Sequence, residues 1–200
     1  AKEHRSMLIN VSKYTDVHNV IAELVDSYIT KLCRDIEDYA QKSLDDIMQL
    51  GTFKTLHETW TKYNLEGISG LSWERMVKDF LFNAIRRVEV RAVNQKTGAK
   101  SLDYTKYRDV GLRVIAVGGN SLSRGLTLEG LCVSYFYRNT MMYDTLLQMG
   151  RWFGYRPNYQ DLFKIWMGED AIDWYGYITD AINELKDELR VMKNQGMTPE

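Results

Sequence analysis

The residues best suited to chemistry fall in two short stretches. The first is GGNSLSRG at 118–125, where two adjacent glycines lack the Cβ atoms that hold a ligand off, so backbone N–H groups can approach a phosphate. Asn120, Ser121 and Ser123 add short hydrogen-bonding groups, and Arg124 adds charge. The second is LLQMGRWFGYRP at 146–157, which sets Arg151 and Arg156 among Trp152, Phe153 and Tyr155. Gln148 and Arg151 are three apart and share one helical face. Gly154 can end that helix and Pro157 disfavours the α conformation at residue 156, so Arg156 falls in the loop beyond, free to turn toward Arg151. Each stretch also has a plainer reading. GGNS can be a strand-to-helix turn whose Asn and Ser satisfy backbone groups, and Arg156 can be a structural arginine packed on Tyr155 or Trp152.

Charge distribution hints at phosphate recognition but does not by itself decide between the two readings. The chain of 200 residues has a net charge of -1, which by itself names no partner. Residues 1–50 sum to -3, 51–107 to +4, 108–156 to +3 and 157–200 to -5. Within 108–156 every basic residue is an arginine (108, 113, 124, 138, 151 and 156), and the planar guanidinium fork suits phosphate oxygens.

These loops must be held by an α/β framework. SMLINVS at 6–12, LRVIAVGG at 112–119, LCVSYFYR at 131–138 and LFKIWMG at 162–168 are short, continuous apolar runs, as expected of parallel strands buried on both faces. VEVRAVN at 88–94 alternates like a further strand, and NQKTGAK after it is a turn. A long helix is expected from Thr15 or Asp16 as cap, through Val17 to Ile36 at three-and-four spacing, continuing past Leu44 and Ile47 to end at Gly51. Residues 52–70 give no assignment. Ser72 caps a helix carrying Trp73, Val77, Phe80 and Ala84, so a helical insertion is expected at about 52–87 within one domain. Further helices are expected from 144 to about 153 and from Ala171 to Lys193, the latter burying Ile182, Leu185 and Leu189. In such a sheet, ligands collect at the carboxyl ends of the strands, where Gly118 and Gly119 lie.

Composition excludes several classes. With 44% hydrophobic residues the chain can build one well-buried domain, and two prolines leave little room for disordered linkers. No run of about 18 apolar residues can span a membrane, and AKEHRSMLIN is too polar for a signal peptide. The missing initiator Met suggests a segment of something longer. Cys33 and Cys132 lack metal-ligand spacing and read as buried small hydrophobes in a reducing, cytoplasmic setting.

VIAVGGNSLSRGLTLEGLCVSYFY followed by DTLLQMGRWFGYR resembles motifs V and VI of superfamily 2 helicases, in their second RecA-like domain. More narrowly, GGNSLSRGLTLEGL with QMGRWFGYRP, together with SMLINVS and KYTDVHN, resembles the Z1 domain over about residues 4–190. That family is attached to helicase-type ATPase segments and commonly labelled an endonuclease. The resemblance implies a RecA-like three-layer fold with a mainly parallel sheet. It implies that Gly119, Asn120, Ser121, Ser123 and Arg124 face a nucleic-acid backbone, that Gly125, Thr127, Gln148 and Gly150 face the nucleotide, and that Arg151 is an arginine finger. The implied setting is a DNA-acting, helicase-like ATPase of bacterial restriction or phage defence. The chain departs from the helicase pattern in having Gly119 for Thr and Thr127 for Asp. Arg156 also follows Arg151 by five residues rather than three, which leaves it a candidate second finger.

The other half of an ATPase is not in this sequence. No GxxxxGK[ST] phosphate loop occurs, GAKS at 98–101 lacks the first glycine and the Gly-Lys pair, and no acidic pair for magnesium ends a strand. ATP and Mg2+ are therefore expected to be held mainly by an N-terminal ATPase domain of the same polypeptide, and the isolated chain is expected to hydrolyse none. Two rivals are an endonuclease and a non-catalytic RecA-like interaction module. The nuclease would need clustered carboxylates, for which Asp173, Asp180 and Glu184-Leu185-Lys186 have roughly the right letters on an amphipathic helix. His4, His18 and His57 are scattered and read as surface or packing residues, and no metal site is expected.

Overall fold

A computed structural model of the chain describes residues 3–94, 102–119, 127–137, 147–148 and 160–196. The apolar runs form parallel strands β1 (Arg5–Asn10), β3 (Arg113–Gly118), β4 (Leu131–Phe136) and β5 (Lys164–Met167), with the alternating run as β2 (Val88–Val93). Their order is β2-β3-β1-β4-β5, and every pairing is parallel. β2 lies at an edge, which explains its half-buried, alternating sequence, while β3 is buried from Val114 onward.

Successive side chains along each strand serve opposite faces. Ile9, Ile115 and Val117 pack on Ile21, Val25 and Ile29 of α1 (Thr15–Tyr39). Leu8, Val114, Ala116, Leu131 and Phe136 pack on the other side with Leu102, Tyr104, Leu128 and the start of α7 (Glu169–Asn194) at Ala171 and Tyr175. The result is an α/β fold in three layers, as expected of a RecA-like domain. Ser6, buried on the second face, donates from Oγ to the Glu129 carbonyl at 2.7 Å and meets the Tyr104 hydroxyl at 2.9 Å. Burial raises the Tyr104 phenol above its usual range.

The helical stretch between α1 and β2 departs from expectation in two ways. α1 stops at Tyr39, and Ser43 starts a new helix, α2 (Leu44–Ile47), by accepting from the Asp46 amide at 3.2 Å. Gly51 opens α3 (Gly51–Lys62) rather than closing a helix. The apolar spacing continued across the break because Leu32, Ile36, Ala40, Leu44 and Ile47 all bury against the same cluster, around Phe53, Trp60, Trp73 and Val77. Periodicity reports a shared core, and the chain can satisfy it with separate helices. Residues 65–69 form α4 (Leu65–Ser69), so the unassigned stretch is largely helical. Ser72 does cap its helix, accepting from the Arg75 amide at 3.4 Å. That helix runs as α5 (Trp73–Arg75), a π-helical turn (Met76–Leu81) and α6 (Phe82–Ile85).

Three further expectations are corrected. Neither Thr15 nor Asp16 caps α1; its cap position is Tyr14, with no side-chain bond. On α7 the buried residues are Ala171 and Ile178, Ile182 is half-buried, and Leu185 and Leu189 are 55% and 41% exposed, because the described layers give the far part of the helix nothing to pack on. Cys33 and Cys132 are free but half-buried. The turn at 95–100 and most of the 144–153 helix lie outside the described residues; Leu147 and Gln148 are helical.

Two consequences can be measured. Gly130 precedes β4 with φ +63°, and a Cβ there would be driven into the His4 carbonyl. Gly130→Ala is expected to cost about 3 kcal/mol or more, from strain plus backbone displacement, read by urea unfolding. Burial pushes the Tyr175 phenol from 10.0 up to about 12. Because the folded value lies above the unfolded one, this contribution is complete below pH 10.0 and disappears as pH rises to about 12. Tyr175→Phe should flatten the alkaline decline in unfolding free energy across that interval.

Candidate functional site at the carboxyl end of the central strand

β1 occupies the middle of the sheet, and the chain leaves its carboxyl end for α1 on one face. Gly119, just after its neighbour β3, lies against the turn that follows β1, and Leu128 is buried on the opposite face before β4 begins. The carboxyl ends of adjacent parallel strands are the opening where α/β sheets receive ligands.

Asn10, the last residue of β1, sits in that opening. The register pairs it with Phe136 of β4, and one step beyond the Ile9–Val117 pair brings it alongside Gly118 of β3. Its backbone carbonyl accepts from the Tyr137 amide at 2.9 Å. Its side chain is fully buried, yet neither the amide nitrogen nor the amide oxygen has a partner among the described residues. Ser134, paired with Leu8 and so on the same face, likewise buries an unpartnered Oγ. Leaving a buried donor or acceptor unmade costs about 1–3 kcal/mol, so such groups call for a bonding partner beyond the described residues.

On the other face, His18 of α1 is buried and its Nε2 lies 2.8 Å from the Ser12 carbonyl. A carbonyl can only accept, so Nε2 carries a proton, and Nδ1 has no partner among the described residues. Gly119 crosses directly over this turn. A Cβ on Gly119 would stand 2.7 Å from the Ser12 carbonyl and 3.1 Å from the His18 ring. The space that the missing Cβ leaves is thus taken by the β1–α1 turn, which lets the β3 exit lie down against it.

The remaining sequence candidates divide plainly. Thr127 is exposed on the approach to β4, and Gln148 is half-buried on a helical stretch with Leu147. Asn120, Ser121, Ser123, Arg124, Gly125, Gly150, Arg151 and Arg156 lie outside the described residues. Sequence reasoning missed Asn10. The signal was present, since SMLIN ends an otherwise apolar strand on an amide. The histidines do pack: His4 Nδ1 accepts from the Leu112 amide at 2.9 Å, and His57 meets the Trp73 ring edge-on at 5.0 Å. Asp173, Asp180 and Glu184 are strung along α7, and among the described residues no three potential ligands gather to hold a metal ion.

A five-stranded, all-parallel sheet covered on both faces defines an α/β protein. The chain belongs to the Z1 domain family, whose model matches residues 1–200. No curated protein and no solved structure matches it. No helix among the described residues is long and apolar enough to cross a membrane.

The unpartnered amide makes a stability prediction. Asn10→Leu, of similar shape, is expected to hold or raise stability, by up to about 2 kcal/mol in urea unfolding, since it removes a desolvated group that gains no bond. A loss of similar size would show that the amide is bonded within the chain.

Proposed function

We propose that this chain is the second, motor-type RecA-like domain of a helicase-like ATPase that acts on DNA. Its carboxyl edge would face the nucleotide and the nucleic-acid backbone. The observation that carries this reading is the buried Asn10 amide, without a partner among the described residues, at the carboxyl end of β1 beside Gly118. A polar group kept at that cost at the carboxyl edge of a parallel sheet suits a ligand rather than a core. Membership of the Z1 family is consistent with it.

On this reading ATP and Mg2+ supply the transferable phosphoryl group and are held mainly by an N-terminal ATPase domain of the same polypeptide. This chain's part is electrostatic. Arg151 carries a guanidinium toward the γ-phosphate and neutralises charge that develops as the phosphoryl group departs. Gln148, one helical turn away, with Gly125, Thr127 and Gly150, lines the nucleotide side. Gly119 to Arg124 contact the DNA backbone, and packing of Gly119 on Ser12 and His18 ties that loop to the turn after Asn10. Arg156 is the candidate second finger. The restriction or phage-defence setting and the cytoplasmic location are part of the same proposal.

The test is DNA-stimulated ATP turnover by the protein that includes the ATPase domain. Arg151→Ala is expected to lower turnover by roughly 10³ while nucleotide binding is retained. Unchanged turnover would reject the finger. Metal-dependent nicking of plasmid DNA by this chain alone would instead favour the endonuclease reading.

A further inference from the structure

The opposite end of the sheet carries a second charged feature. Arg5 opens β1 and pairs directly with Arg113, which opens β3, and Arg113 pairs in turn with Val88, immediately after Arg87 and Arg86. With strands about 4.8 Å apart, three neighbouring strands therefore bring four arginines to one edge. Arg86 and Arg87 are exposed and Arg113 is half-buried.

Arg113 is held in place from one side. Its Nη1 donates to the carbonyls of Asn83 and Ala84 at 2.9 and 2.8 Å, at the end of α6. Burial, then the neighbouring charges of Arg87 and Arg5, lower its affinity for its proton. The carboxylates that line the cavities along this edge, Glu3 and Glu89, offset only part of this crowding. Glu3 pairs with Arg5 at 3.1 Å and Glu89 with Arg91, and among the described residues no carboxylate comes within ion-pair reach of Arg86, Arg87 or Arg113.

Two adjoining cavities follow the row. One of about 500 Å³ is lined by Glu3, Arg5, Ala84, Val110 and Arg113. The other, of about 290 Å³, takes in Arg86, Arg87, Tyr107 and again Val110 and Arg113. Shared walls make them one depression running across the starts of β1, β3 and β2, longer than a single phosphate needs. All its cations are arginines, whose forks match phosphate oxygens. Tyr107 adds an aromatic wall, its hydroxyl fixed by Arg91 Nη2 at 2.7 Å. An aromatic surface beside a charged groove suits a nucleobase better than the side chains of an acidic peptide.

We propose that this amino edge binds the phosphodiester backbone of single-stranded nucleic acid, with Arg5, Arg86, Arg87 and Arg113 as its phosphate ligands. It lies about 20 Å from Asn10, the length of the intervening strand, and is a separate surface from the carboxyl edge.

The experiment is anisotropy of a labelled oligothymidylate against this chain over a range of salt. Arg86→Glu with Arg87→Glu should weaken binding at least about ten-fold at low salt, and should make the dependence of log affinity on log salt shallower by about 1. Both side chains are exposed, so the unfolding midpoint should not move. Arg113→Lys, which keeps the charge and loses the fork, should lie between. Reversing the exposed Arg190 on α7 should change affinity by no more than about two-fold. Unchanged affinity and slope in the double variant would overturn the proposal. So would an equal loss on reversing Arg190, which would mean net charge alone, or capture of a polyglutamate peptide in place of the oligonucleotide. The readout needs no ATP turnover, so its failure is distinguishable from failure of the carboxyl-edge reading.

Discussion

The structure depends on the parallel pairing of β1 with both of its neighbours. A strand flanked on each side by parallel partners is buried on both faces, so its side chains must be apolar and its connections must run over the sheet. From β1 the chain goes to α1, and Leu128, ahead of β4, is buried in the other layer. Polar residues placed at the carboxyl edge of these strands therefore acquire neighbours that no local sequence supplies.

Two close approaches hold the edges of this arrangement together. Gly119 lies against the Ser12 carbonyl and the His18 ring, and Gly130 against the His4 carbonyl. Each joins the start or end of β1 to the loop between β3 and β4. The Ser6 hydroxyl, bonded to the Glu129 carbonyl, reinforces the lower join. Small residues here serve close contact more than flexibility, and the buried His18 lies directly beneath Gly119.

Much of the framework was legible in the sequence. The continuous apolar runs before Asn10, Gly118, Phe136 and Met167 each formed a parallel strand, and Ser72 started the helix it was read to start. Helix ends were less legible. Gly51 and the α1 cap were misread because burial against one cluster sustains a helical repeat across a break, and because α1 begins without any side-chain cap. The buried stripe assigned to Leu185 and Leu189 failed for the converse reason: amphipathic spacing shows a capacity to pack, and among the described residues nothing covers that part of α7.

The sequence by itself determined the strands, their parallel character and the family, because those follow from side-chain types in short windows and from the wording of GGNSLSRGLTLEGL and QMGRWFGYRP. Only the tertiary structure decided which strands are neighbours. It set Asn10 between Gly118 and Phe136 with its amide unmet, and lined up Arg5, Arg113 and Arg87, which are distant in sequence, along one edge. The physical reason is that strand order is chosen by packing of whole layers. A residue's burial and its charged neighbours are properties of that order, and no window of sequence contains them.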